Sequence, residues 1–269
     1  MAVNWDGLVL NDYEAVMPLP WKKKFQIKYM YQPSFVQQGG IFSHLVISPE
    51  ITTSFIHLAA EHFSFAEITL NFGNDVRDLT GKVKLCERCN YVLQLENYQA
   101  IFQNYDYGFR KSLRRIKKFN LHYKKSDDYS FVISLFKELY GRRLPSFKVD
   151  DYNNFNSVCS FLQRKNKVIT RLALNDEGNV IAALVLLEDG NRMYNLLSCI
   201  TIAGKKVAAN DFLYDNIIEE FSNKGVVLDL EGSDVKGIAD YYKKLNPTME
   251  PYFFLKYNKL HPVLKMFKK

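Results

Sequence analysis

The chain has 269 residues, of which 47% are hydrophobic, 14% aromatic and 24% charged, and its formal net charge is +7. So much apolar sequence excludes intrinsic disorder and suffices for one large core or two of ordinary size. The basic excess fits partners that carry phosphate or other anions, and it equally serves solubility.

From the N-terminus, MAVNWDG lacks a basic stretch leading into an apolar one, and no apolar run approaches the roughly 18 residues that span a bilayer. The expectation is a cytoplasmic protein without a membrane span. GLVLNDYEAVMPLP reads as two strands joined at Asn11 and Asp12, and KFQIKYMYQ as a third. PEITTSFIHLAAEHF carries Phe55, Leu58, Ala59 and Phe63 near helical spacing. AEITLNFGNDVRDL and CNYVLQL then read as strands. Cys86 and Cys89 form a CxxC, but no second pair or neighbouring histidine completes a tetrahedral site. His44, His57, His62, His122 and His261 are scattered, so no metal site is expected.

FRKSLRRIKKFNLHYKK places Phe109, Leu113 and Ile116 on one helical face and Arg110, Lys111, Arg114, Arg115, Lys117 and Lys118 on the other. It reads as an amphipathic connecting helix over residues 106–126. Arg110 to Lys125 holds eight Lys or Arg and no acid. Such a face is either solvated or, through Arg110, Arg114, Arg115 and Lys118, a landing surface for tRNA or another phosphate-rich partner. Two helices follow, one capped by Asp127 or Asp128 and one by Asp150 or Asp151.

RLALNDEGNVIAALVLLE repeats the first hairpin, down to its LxLND core, and NRMYNLLSCI repeats the third strand. AANDFLYDNIIEEFSNKG is a helix with Phe212, Leu213, Ile217, Ile218 and Phe221 inward, Asn210 or Asp211 as N-cap and Gly225 as stop. The strand VVLDLEG and the final PYFFLKY complete the second copy. The strings from Gly73 to Arg77 and from Gly232 to Lys236 match: Gly, then Asn or Ser, then Asp, Val and a basic residue. Hairpin, strand, helix, strand, connecting segment and strand are thus written twice, over residues 1–105 and 127–269, with a reduced first copy.

The order of elements over residues 127–258 resembles the GNAT acyltransferase fold. The tandem arrangement resembles the Fem family of peptidyltransferases and its GNAT-like relatives, in three stretches: MPLPWKKKFQIKYMYQPSFVQQGGIFS, FRKSLRRIKKF and VVLDLEGSDVKGIADYYKKLNP. The resemblance implies two tandem GNAT-like α/β units, each a mixed central sheet flanked by helices. It implies an acyltransferase that moves an acyl or aminoacyl group from a CoA thioester or a tRNA ester onto the amine of a small molecule or peptide. The alternative is a non-catalytic GNAT-fold module for ligand binding or assembly.

The same resemblance brings Ser198 and Glu231 to the place where two strands splay, with Glu231 as base and Tyr242 in the position of the leaving-group acid. Glu231 could instead cap the following helix, and Tyr242 could simply pack. Tyr241 and Tyr242 are consecutive, so only one of them looks into the site. No cofactor is expected to be tightly bound; a CoA thioester would be a co-substrate. Its phosphates would meet Gly204, Lys205, Lys206 and Asn210 at the helix entrance, where Asp211 opposes an anion.

Overall fold

The computed structural model describes residues 1–24, 26–76, 83–231 and 235–261. In chain order the elements are β1 (Trp5–Leu10), β2 (Ala15–Lys24), β3 (Ile27–Tyr31), β4 (Phe42–Ser43), α1 (Pro49–His62), β5 (Phe65–Thr69) and β6 (Val83–Gln94). They continue with α2 (Tyr98–Asn104), α3 (Tyr107–Ile116), β7 (His122–Ser126), α4 (Tyr129–Tyr140), α5 (Val149–Gln163), β8 (Val168–Leu174), β9 (Val180–Asp189) and β10 (Arg192–Ile200). The chain then forms α6 (Ile202–Lys206), α7 (Ala209–Phe221), β11 (Val227–Asp229), α8 (Lys236–Lys243) and β12 (Thr248–Asn258).

Two compact units result: Met1–Cys89 with the chain from Glu250 onward, and Asn90–Met249. In the first, β1, β2 and β3 are successively antiparallel and β3 runs parallel to β5. In the second, β7, β8, β9 and β10 are successively antiparallel and β10 runs parallel to β11. The repeated topology expected from the sequence is therefore present. Of the matching Gly-to-basic strings, Arg77 and Gly232 to Asp234 lie outside the described residues.

The boundaries differ from the expected 1–105 and 127–269. Phe254–Asn258 of β12, the last strand of the second copy, pairs with β5. Val92–Gln94 of β6, the last strand of the first copy, pairs with β11. The two copies have exchanged their closing strands. Sequence pattern identifies a strand but not its partner, because ladder hydrogen bonds join backbones and carry no residue code.

The connecting segment is also not one helix. α3 ends at Ile116, a single 3₁₀ turn follows, and Asn120 at φ 45° turns the chain into β7. β7 pairs with β8 over His122–Ser126, so HYKKS belongs to the second sheet; its lysines suit an edge strand. α2 was not apparent from sequence: it is a short helix whose first turn is capped by Asn97, which accepts a bond from the Ala100 N–H at 3.0 Å. α4 begins as expected, with Asp128 accepting from the Phe131 N–H. α5 starts at Val149, ahead of its expected caps, and Asp151 reaches back to the Lys148 N–H.

The first core gathers Met17, Leu19, Met30, Phe55, Ile56, Ile68 and Leu255, and the Tyr257 hydroxyl donates to the Ala59 carbonyl at 3.1 Å. In the second, the buried face of α3, Phe109, Leu113 and Ile116, and that of α7, Leu213, Ile217 and Ile218, pack over Leu184 and Leu186 of β9. Fully burying each such side chain contributes about 1.5–3 kcal/mol.

Glu220 anchors α7 to the sheet edge: it receives Arg171 at 2.7 and 2.8 Å, Lys125 at 2.8 Å and the Tyr123 hydroxyl at 2.5 Å. Burial alone would raise its pKa, but those donors outweigh it and hold the carboxyl at about 2. A depressed carboxyl stabilises the fold above its unfolded pKa, and that contribution disappears as pH falls through the folded value. Glu220→Gln should therefore cost about 1–3 kcal/mol at pH 7, the range for charged hydrogen bonds. The deficit should shrink as pH falls from about 4.5 towards 2. Urea titrations of both proteins across that window would check this; an unchanged difference at low pH would contradict it.

Candidate active site

β10 and β11 run side by side only from Arg192 to Tyr194 against Val227 to Asp229. Past that point β11 ends, and the register of β10 against β9 shifts between Asn195 and Leu197. Such a bulge bends a strand and re-aims its side chains. The two strands part as the sequence led us to expect, and polar groups collect at the opening.

Asn195 is 5% exposed. Its side-chain amide donates to the Tyr214 hydroxyl at 2.7 Å and to the Tyr242 hydroxyl at 3.3 Å. Tyr214 meets the Tyr242 ring edge-on, with centroids 6.3 Å apart, and lies close enough to Ser198 for the two hydroxyls to influence each other. Ser198 and Tyr242, singled out from sequence, therefore belong to one cluster, joined by two residues to which the sequence reading assigned no role. Tyr214 had a visible signal, a polar tip within the aliphatic stripe Leu213, Ile217 and Ile218. Asn195 had another, an amide inside an apolar strand. Burial raises the pKa of both tyrosines; for Tyr242 the neighbouring Tyr214 and Glu231 add to the rise, while Asn195 opposes it. Both hydroxyls consequently keep their protons at neutral pH.

Asp229 ends β11 and is 1% exposed. It accepts Arg192 Nε at 2.7 Å, Asn90 Nδ2 at 3.0 Å and the backbone N–H of Glu231 at 2.8 Å. Glu231 sits at φ 59°, in the left-handed region, a conformation that costs a residue with a side chain about 1–2 kcal/mol. Its carboxyl is pushed well upward, first by burial and then by the Asp229 charge, with Arg192 opposing. Helix α8 begins at Lys236 with Val235 as N-cap, so Glu231 is not its capping residue. A carboxylate of raised basicity beside buried phenols is suited to accept a proton. The Tyr241 ring packs against Tyr214 and Tyr242, with centroids 5.8 and 6.0 Å away.

The expected phosphate corner is built differently. Gly204 is buried, and a Cβ there would lie 2.2 Å from the Ile181 carbonyl oxygen. Its N–H already bonds Thr201 Oγ1 at 3.0 Å. Gly204 thus allows α6 to pack on β9 and leaves no cradle for an anion. Lys205 and Lys206 are exposed at the end of α6. α7 starts at Ala209, not Asp211, after Ala208 at φ 54°. Asn210 lies in the first turn, and its Oδ1 has no hydrogen-bond partner among the described residues. On α3, Arg114 and Arg115 are exposed and Arg110 is half-buried; Lys118, in the 3₁₀ turn that follows, is also exposed. Among the described residues no group of His, Cys, Asp and Glu could hold a metal, and Cys86 and Cys89 are free thiols.

Residues 103–244 match the family model described as an acetyltransferase (GNAT) domain. FemX aligns over 98% of this chain and 91% of its own, at 12% identity and TM-score 0.66. The C-terminal domain of a putative lysylphosphatidylglycerol synthetase from Agrobacterium fabrum covers 98% of this chain and 87% of its own, at 11% identity and TM-score 0.61. A tandem GNAT protein from the clavulanic acid biosynthesis pathway covers 90% and 78%, at 8% identity and TM-score 0.51. At these identities the likeness is one of fold. No curated protein sequence matches the chain.

The ion pair beneath the opening gives a stability prediction. Arg192→Met leaves Asp229 buried without its cation and should cost about 3–5 kcal/mol. Adding Asp229→Asn removes the charge while keeping an acceptor for the Glu231 N–H, and should recover much of that loss. Equal stability of the single and double variants in chemical denaturation would contradict the pairing.

Proposed function

Because the chain belongs to the GNAT acetyltransferase family, we propose that it transfers an acyl or aminoacyl group from a CoA thioester or a tRNA ester onto an amine at the opening between β10 and β11. The observation that carries this reading is the convergence of Ser198, Asn195, Tyr214 and Tyr242 at the end of the shared ladder, with Glu231 close enough to influence Tyr242 electrostatically. Acyl transfer needs a proton acceptor, an oxyanion donor and a leaving-group acid. The amine nitrogen attacks the acyl carbon and loses its proton to Glu231. Ser198 donates to the oxygen that gains charge. The bond to the leaving sulfur or oxygen breaks as Tyr242 gives that atom a proton, and the proton taken up by Glu231 then passes to the Tyr242 phenolate, which restores both groups.

An acid at this position matters more for an oxygen leaving group than for sulfur, because an alkoxide is a far stronger base than a thiolate and needs the proton in order to leave. The exposed cations of α3 support the same donor, as they can neutralise a phosphate backbone. The acceptor in this reading is a small molecule or peptide with a free amine, and no cofactor stays bound between turnovers. The packed corner at Gly204 favours a second reading, a GNAT-fold module that binds a ligand or partner without chemistry.

Thermal shift with acetyl-CoA, CoA and uncharged tRNA separates these readings, since a ligand of the folded state alone raises its stability. Stabilisation by one of the three identifies the donor class, and none by any supports the module. With a donor in hand, Tyr242→Phe should lower turnover by roughly 10²–10⁴ with little change in melting temperature. Undiminished turnover would remove Tyr242 from the mechanism.

A further inference from the structure

A cavity of about 520 Å³ lies behind α7, away from the strand opening. Its walls come from α2, α3 and α7 and are largely apolar, with Phe102, Leu113, Leu121 and Phe212 among them. Asp215 lines it and accepts the Tyr98 hydroxyl at 3.1 and 3.2 Å. Arg114 and Lys117, both exposed, stand on its α3 side. Asp211 precedes Asp215 by one turn and lies on the same face of α7. Leu213 and Ile217 lie two residues further on, about 200° around the helix, in the core.

Asp215 has hydroxyl neighbours but no cation within ion-pair distance among the described residues. A partly buried carboxylate without a countercharge is costly, and that cost falls when an ammonium group enters. Burial raises the Asp215 pKa to about 6 despite the Tyr98 and Tyr105 hydroxyls, and the Glu219 and Asp211 carboxylates raise it further. A pocket with one anionic wall, a cationic rim and aromatic sides matches a molecule carrying both charges on an apolar body.

We infer that this cavity is a binding site for a small zwitterion, an apolar or aromatic α-amino acid, whose ammonium group meets Asp215 while its carboxylate meets Arg114 and Lys117. Its side chain would lie against Phe102 and Phe212. The site is distinct from the strand opening and does not depend on acyl transfer taking place.

Calorimetry at pH 8 with L-phenylalanine, phenethylamine and 3-phenylpropionate tests this directly. L-Phenylalanine should bind with Kd of about 1 mM or tighter, and each analogue, lacking one charge, at least about tenfold more weakly. Asp215→Asn should weaken L-phenylalanine by about tenfold or more. The Arg114→Ala, Lys117→Ala double variant, altered only at exposed positions, should abolish the preference for L-phenylalanine over phenethylamine. At pH 5 the wild type should bind about tenfold more weakly, because a carboxyl of pKa near 6 is then mostly protonated; Asp215→Asn should lack that dependence. The groups around Asp215 are Tyr98, Tyr105, Asp211, Glu219, Arg114 and Lys117, and the Asn variant separates its titration from theirs. No binding of L-phenylalanine or L-leucine at about 10 mM would overturn the proposal. So would affinity unaltered in both variants.

Discussion

Asp229 is the constraint on which the second unit's site rests. It closes the last rung between β10 and β11, and its buried carboxylate is held by Arg192 from β10, Asn90 from β6 and the Glu231 backbone. One charge therefore ties three strands together where the parallel ladder stops. Because removing a single partner leaves the others around an uncompensated charge, the arrangement fixes one geometry more strongly than apolar packing would. The bond from the Glu231 N–H to Asp229 holds the start of the left-handed residue against this anchor.

Asn195 is the hub, holding Tyr214 and Tyr242 through one amide nitrogen. Because that amide donates to both phenol oxygens, the two hydroxyl protons must point away from it, and the cluster holds one arrangement. The bulge in β10 supplies the re-aiming that an unbroken ladder would forbid. Helix α7 presents Tyr214 to this cluster and Asp211 and Asp215 towards α3 and α2, so one element serves two polar environments on separate faces.

The paired hairpins could be read from the sequence because their signal is local. LxLND flanked by alternating apolar residues specifies a turn and two strands wherever the chain places them. The buried stripe of α3 was likewise plain in Phe109, Leu113 and Ile116, and Ser198 and Tyr242 drew notice only through the resemblance to a family, which implied a site at the strand opening. His122–Ser126 was read as helix because the lysines before and after Asn120 form one basic run. Only the left-handed Asn120 and the pairing with β8 separate them. Gly204 was read as a phosphate-loop glycine, although its need for hydrogen in place of a side chain comes from Ile181, distant in sequence.

By itself, then, the sequence determined the α/β class, the twofold repeat and the faces of its main helices, all consequences of periodicity and turn chemistry within a few residues. Tertiary structure alone decided that β6 and β12 exchange sheets, because backbone hydrogen bonds accept any strand of suitable length and edge. It also decided that Asn195, Tyr214 and Tyr242 meet, and that Asp215 lines a largely apolar cavity with no ion-pair partner among the described residues. Those are relations between residues on different elements, and the energies that fix them, desolvation and hydrogen bonding at contact distance, exist only once the chain has folded.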